Sequence, residues 1–305
     1  MLNDDEFAAD FCPGVNVLIG GNGTGKTTLL KSMYEANKPF AKIMTSYGNA
    51  TVTADGNSII IEEDEVDSNK KERSWGVISF DSKLKSCIYI PEKDILEHAK
   101  GLLPFIEQKE TGFSQVYKDV LVTAQDVPTQ IQTETQQSVG KKISRIIDGK
   151  VEWVASEGTY YTIRTDGLRI PFANEASGFK KLGYLGLVVA SGYLETDSVL
   201  FWDEPENSLN PEYIPILVDI LLELSRNGVQ IFIATHDYNL VRYFDVRKDK
   251  GTSVLFHNLS IANDGQIICN SSSEYIKLTH NKLESASADL FKAVVADAME
   301  VQYGE

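Results

Sequence analysis

The chain has 305 residues, a formal net charge of −15, 42% hydrophobic residues and 24% charged residues. This length and composition are typical of a globular protein with a sizeable core, and nothing in them indicates disorder. The negative charge repels polyanions and so disfavours a free-standing DNA or RNA binder. Local basic residues such as Lys141, Lys142 and Arg145 could still bind nucleic acid, but a solvated helix face is the simpler explanation for them.

Two further sequence features bear on the compartment. No run approaches the roughly 20 apolar residues that a membrane-crossing helix needs, and the first residues are acidic where a signal peptide is basic. The three cysteines, Cys12, Cys87 and Cys269, match no metal-ligand or redox spacing, which favours a reducing environment. We therefore expect a cytoplasmic protein without membrane insertion.

The first predicted elements are a buried strand at residues 15–19, an apolar run between glycines, and a helix at residues 27–36. Short β-type runs follow, and they predict a small antiparallel β subdomain at residues 50–90, with residues 77–80 and 87–90 as two of its strands.

The middle of the chain predicts an insertion at residues 93–175. Residues 94–108 and 114–147 carry helical periodicity, which predicts a helical arm. Turn signals then divide residues 150–171 into short strands, which predicts a β meander.

The last third alternates helices and strands, which predicts a mostly parallel sheet flanked by helices. These elements are expected at residues 178–194, 198–202, 211–226, 229–234 and 239–244. A closing helix is predicted at residues 286–301, and loops are predicted around Asp245, Asp249 and Asp264. We treat residues 1–305 as a single domain.

Residues 20–27 (GGNGTGKT) match the phosphate-binding P-loop and lie between a predicted strand and a predicted helix. The glycines allow the tight turn that aims backbone N–H groups and the helix N-terminus at phosphate oxygens. Lys26 is expected to reach the β- and γ-phosphates, and the Thr27 hydroxyl to bind Mg²⁺. The nucleotide-binding residues predicted here are Gly21, Asn22, Gly23, Thr24, Gly25, Lys26, Thr27 and Thr28.

Residues 199–206 (VLFWDEPE) form an apolar strand that ends in adjacent carboxylates, the pattern of a Walker B element. Asp203 is a candidate Mg²⁺ ligand, and Glu204 is a candidate base for the attacking water. Taken alone, the motif fits an acidic turn that caps a buried strand better, and its pairing with the P-loop reverses that preference. His236 follows another predicted strand at the end where ligands collect in parallel sheets, whereas His98, His257 and His280 are interpreted as structural.

Together these motifs carry a family resemblance. The P-loop, the DEPE step at residues 203–206 followed by LNP at 209–211, and THD at 235–237 resemble, in this order, the core of ABC-type ATPases. The resemblance covers residues 15–244. It implies an α/β fold: a P-loop NTPase with ABC-ATPase head architecture, a mostly parallel sheet flanked by helices, a small antiparallel β subdomain and a helical arm.

The family's signature helix corresponds to residues 176–183 (ASGFKKLG), which lack the second glycine and the glutamine of the transporter form. This sequence is similar to soluble members of the RecF, SMC and Rad50 type and to small prokaryotic AAA-labelled ATPases of the AAA_15 and AAA_21 kind. The resemblance implies that Ser177 and Gly178 approach the ATP bound by a second subunit. A simple helix cap is the alternative for Ser177.

The resemblance also implies the remaining roles and the cofactors, ATP and Mg²⁺. Glu204 would be the catalytic base, His236 would contact the γ-phosphate and Asp203 would bind Mg²⁺. Glu92 stands where the family has a metal-contacting glutamine, so its role as a metal ligand is open. Residues 281–284 (NKLE) lack the aspartate of a guanine-recognition motif, which favours adenine.

We therefore predict Mg-dependent ATP hydrolysis by a head-to-tail, ATP-dependent homodimer that acts as a switch for a separate partner protein. DNA maintenance and anti-phage defence are the settings of similar proteins. The ATP-binding subunit of an ABC transporter is one alternative, and a regulator with slow turnover is another. A fused nuclease is disfavoured, because only about 70 residues follow His236, fewer than a typical domain.

Overall fold

The computed structural model describes residues 9–36, 42–45, 48–55, 58–63, 86–108, 115–126, 132–262 and 265–303. Its strands are β1 (Val15–Gly20), β2 (Lys42–Thr45), β3 (Gly48–Asp55), β4 (Ser58–Glu63), β5 (Ser86–Ile90), β6 (Gly149–Val154), β7 (Thr159–Arg164), β8 (Arg169–Pro171), β9 (Ser198–Asp203), β10 (Val229–Ala234), β11 (Val254–Ile261) and β12 (Ile267–Ser272). Its α-helices are α1 (Lys26–Ala36), α2 (Ala99–Gln108), α3 (Gln115–Thr123), α4 (Glu134–Ile146), α5 (Ser177–Ala190), α6 (Ile214–Arg226), α7 (Tyr238–Arg247) and α8 (Lys282–Tyr303).

A six-stranded sheet in the order β12-β11-β1-β10-β9-β5 forms the centre of the fold. Its strands pair in parallel except for β12, which is antiparallel to β11 at one edge. Two further three-stranded sheets, β2-β3-β4 and β6-β7-β8, are antiparallel. The predicted α/β class with a mostly parallel sheet is confirmed, as is the β meander.

The central strands are apolar on both faces because helices cover both sides of the sheet. Every residue of β9 is buried, and its side chains alternate between two hydrophobic clusters, as period-2 geometry requires. On one face Phe201 stacks on Phe232 of β10 with ring centroids 5.1 Å apart. Leu200 and Ile231 pack into the larger cluster on the other face.

One strand was placed in the wrong sheet. Residues 87–90 were predicted to belong to the antiparallel subdomain, but β5 pairs in parallel with β9 in the central sheet. The reason is burial: Ile88, Tyr89 and Ile90 are all buried, and three consecutive buried side chains need a sheet that is covered on both faces, as the central sheet is. The predicted strand at residues 77–80 lies outside the described residues, so the limits of the subdomain remain a prediction.

Two strands near the end of the chain escaped the sequence analysis. β11 contains His257 and Asn258, which interrupt its apolar pattern although both are buried. The imidazole of His257 lies 2.8 Å from Ser271 Oγ and 3.2 Å from Asn16 Oδ1, and burial lowers its pKa to about 4. It is a core residue held by hydrogen bonds.

Asp245, which the sequence analysis placed in a loop, lies in α7.

The helical arm is less regular than its periodicity predicted. A short 3₁₀ turn (Leu96–His98) precedes α2, and Gly101 inside α2 has a φ of +130°, outside helical geometry.

Among the residues that the structure describes, no helix is both long and apolar enough to cross a bilayer.

The stacked pair in the core provides a stability test. Phe232→Ala is expected to lower the free energy of unfolding by about 3–5 kcal/mol, since Phe232 is fully buried and its removal leaves a cavity. Phe291→Ala in α8 is the matched control, because that ring is 69% exposed and its loss should cost within about 0.5 kcal/mol. Urea unfolding of both variants measures the difference, and equal losses would contradict the assigned core.

Candidate functional site

The strand register places several of the predicted site residues at one edge of the sheet. Leu18 of β1 lies opposite Ala234 of β10, and Ala234 lies opposite Asp203 of β9. The loops that follow these three parallel strands therefore leave the sheet side by side. In open α/β sheets this carboxyl edge is where ligands bind.

The loop after β1 turns sharply and leads directly into α1. Gly20, Gly23 and Gly25 have φ values of +147°, +77° and +86°, a region that favours glycine. Lys26 is 7% exposed, and its ammonium group donates to the backbone carbonyls of Gly20 and Gly21 at 2.9 and 3.2 Å. Burial lowers the pKa of this lysine. The loop thus surrounds a buried cation with backbone.

The other predicted loop residues line the same turn. Asn22 and Gly23 are exposed at its tip, whereas Thr24 is buried and its hydroxyl donates to the Gly21 carbonyl at 2.9 Å. Gly25, Thr27 and Thr28 are half-buried around the start of α1, whose first N–H groups have no partner within the helix. Such a helix end favours an anion.

Thr27 and Asp203, 176 residues apart, meet at this edge: the Thr27 hydroxyl donates to Asp203 Oδ1 at 3.0 Å. The Tyr89 hydroxyl approaches Asp203 Oδ2 at 3.5 Å. Burial raises the pKa of Asp203 to about 6. A hydroxyl and a carboxylate oxygen are the hard donors that Mg²⁺ prefers, so this pair fits a magnesium site.

Glu204 follows β9 with a left-handed φ of +47°, which a non-glycine residue adopts only when its surroundings impose it. Three hydrogen bonds fix its backbone. Its N–H donates to the Ala234 carbonyl at 2.8 Å, and its own carbonyl accepts from Lys181 Nζ at 2.7 Å and from the Asn207 N–H at 3.2 Å. Strain of this kind costs roughly 1–3 kcal/mol and is typical of functional sites.

The side chains of Glu204 and His236 are in contact. Glu204 Oε2 lies 2.6 Å from His236 Nδ1, and the carboxylate is 13% exposed while the imidazole is 62% exposed. The histidine thus covers the carboxylate on its solvent side. Together with Glu206, these side chains place ligand atoms within 4.8 Å of one another.

Glu206 is a member of this cluster that the sequence analysis did not single out as functional. It is 8% exposed and accepts a hydrogen bond from the Thr235 hydroxyl at 2.5 Å. Burial, reinforced by the neighbouring Glu204, raises the pKa of Glu206 to about 8. The second glutamate of the DEPE motif was visible in the sequence, but its burial depends on the fold.

Glu92 lies two residues beyond β5 and reaches the loop after Glu204. Its carboxylate accepts a hydrogen bond from the Asn207 amide at 3.1 Å. The register of β5 with β9, in which Ile90 lies opposite Trp202, brings Glu92 to the same edge as Asp203. Among the described residues, Glu92 is therefore hydrogen-bonded to the Asn207 amide and not to one of the carboxylates that could bind a metal.

Ser177 and Gly178 stand apart from these groups. Ser177 is the exposed first residue of α5, and the cap position is occupied by Ala176, so the helix-cap alternative for Ser177 is wrong. None of the hydrogen bonds among the described residues joins Ser177 or Gly178 to Lys26, Asp203 or Glu204. A Cβ on Gly178 would lie 2.5 Å from the Ser208 carbonyl oxygen, so the helix start rests directly on the loop after Glu204.

With the geometry in place, the chain can be compared with known proteins. A family model described as "AAA domain, putative AbiEii toxin, Type IV TA system" matches residues 86–242, just over half of the chain. The chain belongs to this family, AAA_21. The matched segment contains β5, α5, β9 and β10, whereas the P-loop lies before it.

The individual relatives of this AAA_21 chain are distant. It is 39% identical over 49 residues to the energy-coupling factor transporter ATP-binding protein EcfA of Methanothermobacter thermautotrophicus, a match that spans 16% of either chain. An SMC head bound to the C-terminal winged-helix domain of ScpA is 12% identical, with a TM-score of 0.49 over 87% of this chain and 92% of that one. CbiO1 of Clostridium perfringens, part of the transporter complex CbiONQ, is 16% identical, with a TM-score of 0.41 over 94% of this chain and 88% of that one.

The close approach of α5 to the Ser208 loop can be tested in the AAA_21 protein. Gly178→Ala is expected to destabilise the fold by about 1–3 kcal/mol, because the new methyl group would displace the Ser208 backbone. Gly186→Ala, in the same helix, is the matched control: its Cβ would find the nearest atom at 3.5 Å, and alanine favours helices by up to about 1 kcal/mol. Thermal unfolding should separate the two variants, and a neutral Gly178→Ala would contradict the contact.

Proposed function

We propose that this AAA_21 protein binds ATP with Mg²⁺ at the carboxyl edge of the central sheet and hydrolyses it to ADP and phosphate. The observation that carries the proposal is the meeting, at one edge, of the buried Lys26 with the Thr27–Asp203 and Glu204–His236 pairs. An acidic turn that only ends a strand would not explain why a glycine-rich loop with the buried Lys26 lies beside it.

The loop residues would hold the triphosphate. Backbone N–H groups from Gly21 to Thr28 and the start of α1 would surround the phosphate oxygens, with Lys26 at the β- and γ-phosphates. Lys26 already bonds two loop carbonyls, so its ammonium group would exchange these for phosphate oxygens.

Thr27 and Asp203 would hold Mg²⁺, the threonine through its hydroxyl and the aspartate directly or through water. Mg²⁺, when bound, supplies positive charge that neutralises the phosphate oxygens. A cation there also offsets the cost of the buried Asp203 carboxylate, the same cost that raises its pKa. Glu92 is a further candidate ligand, although its hydrogen bond to Asn207 supports a role in holding that loop.

Glu204 would accept the proton of the attacking water as the γ-phosphate bond breaks and ADP leaves. His236 would contact the γ-phosphate from the solvent side while its Nδ1 faces Glu204. The left-handed backbone of Glu204 supports this role, because it directs the side chain away from the path of β9 towards the histidine.

The second half of the site would come from another copy of the chain. Ser177 is exposed at the start of a 14-residue helix and has no capping role there, which supports contact with a ligand outside its own subunit. Gly178 rests on the backbone of Ser208 and Leu209, so this loop would lie beside Ser177 at the proposed head-to-tail dimer interface. ATP binding would then close the dimer, and hydrolysis would reopen it.

A switch of this kind needs a partner to act on. The family description names an AbiEii toxin and a type IV toxin–antitoxin system, which supports a cytoplasmic role in defence with a separate effector protein. The transporter alternative has weaker support, since the EcfA match covers 16% of the chain. In addition, α2 to α4 and β6 to β8 separate β5 from the signature helix here.

Two variants test the catalytic site. Glu204→Gln is expected to retain ATP and form a stable dimer while turnover falls by more than about 100-fold, because the base is lost but the phosphate contacts remain. Lys26→Ala should lose ATP binding itself. Phosphate release and size-exclusion chromatography with Mg-ATP measure both effects, and full turnover in either variant would disprove the assignment.

A third variant tests the contribution of the second subunit. Adding Ser177→Arg to Glu204→Gln is expected to abolish the ATP-driven dimer while ATP binding by the monomer persists, because the bulky cation blocks only the interface. Ser285→Arg in the same background is the control, since Ser285 is an exposed serine in the first turn of α8. A Ser177→Arg double variant that dimerises like the control would refute the composite site.

A further inference from the structure

Two consecutive lysines of α5, Lys180 and Lys181, are each only 5% exposed. A buried ammonium group is costly unless it is paired or hydrogen-bonded, so each needs a reason to be there. Neighbouring residues on a helix point about 100° apart, and the two side chains accordingly reach different surroundings.

Lys180 has a structural role. It forms an ion pair with Glu97, beside α2, and donates to the Ala173 carbonyl at 3.2 Å. Glu97 is separate from the carboxylates of the ATP site. Lys180 therefore fastens the start of α5 to the segment before it.

Lys181 instead reaches the ATP site. Among the described residues its ammonium group has one hydrogen-bond partner, the backbone carbonyl of Glu204 at 2.7 Å. Burial lowers the pKa of Lys181, and four carboxylates oppose that shift and favour the charged form: Glu206, Glu92, Asp203 and Glu204.

This contact falls on the strained residue of the site. The φ of +47° at Glu204 fixes the direction of its carboxylate, and the backbone keeps this conformation only while its neighbours hold it. The Ala234 carbonyl within the sheet holds its N–H, while Lys181 on the helix and the Asn207 N–H hold its carbonyl. Lys181 supplies the charged donor and the shorter of the two hydrogen bonds to this carbonyl, 2.7 Å against 3.2 Å from Asn207, so without it the carbonyl would be held only from within its own loop.

We propose that Lys181 is a positioning residue for ATP hydrolysis: by holding the Glu204 carbonyl it fixes the carboxylate against the attacking water. The proposal rests on the proposed function, in which Glu204 is the base. It also gives α5 a double task. The helix offers Ser177 to the nucleotide of the other subunit and, one turn later, Lys181 to the catalytic residue of its own.

Lys181→Met tests the proposal, because methionine keeps an unbranched apolar stem and removes the donor and the charge. We expect kcat to fall about 10- to 100-fold, the usual effect of losing a group that supports a catalytic residue, with an unchanged Kd for ATP. Lys180→Met is the matched control. It loses an equally buried lysine, and it should lower the melting temperature while keeping the wild-type kcat.

Lys181→Arg completes the set, since arginine restores a cationic donor in a different shape and should recover part of the lost rate. Three results would overturn the proposal. Lys181→Met could keep the wild-type kcat, Lys180→Met could lose as much kcat as Lys181→Met, or Lys181→Arg could have no higher kcat than Lys181→Met. These results would leave the ATPase assignment intact as long as Glu204→Gln abolishes turnover. A wild-type protein without ATP turnover would overturn both proposals.

Discussion

Parallel pairing of β1, β10 and β9 in one register is the constraint on which the site depends. Because Leu18, Ala234 and Asp203 lie level across three strands, the loops that follow must share one edge. Nothing local in these loops brings them together, since more than 170 residues separate Thr27 from Asp203. Burial of both faces of the sheet fixes that register, because a slip of one residue would exchange the two hydrophobic faces of each strand.

The edge concentrates carboxylates that would repel one another in isolation. Asp203, Glu204 and Glu206 lie within four consecutive positions of the chain, and burial raises the pKa of Asp203 and Glu206. Two buried lysines interact with this group: Lys26 comes from the P-loop and Lys181 from α5. The balance of charge is therefore set by the fold as a whole and not by any one motif.

The sequence predicted the P-loop, the Walker B strand and the helices around them because each has a strong local pattern. It misplaced β5 because four to five residues with β propensity fit either sheet, and only burial on both faces distinguishes them. It missed β11 because His257 and Asn258 look like surface residues until their partners on other elements are known. Lys181 and Glu206 were overlooked for the same reason: whether a charged residue is buried depends on its neighbours in space.

The contact between Gly178 and the Ser208 carbonyl has a different physical character from its surroundings. Ion pairs near α5 weaken as salt is added. This contact is steric: the Ser208 carbonyl lies close to Gly178 because glycine has no side chain. It carries no net charge and no titratable group. This contact is consequently insensitive to ionic strength and pH, and it sets a lower limit to the distance between the helix and the loop.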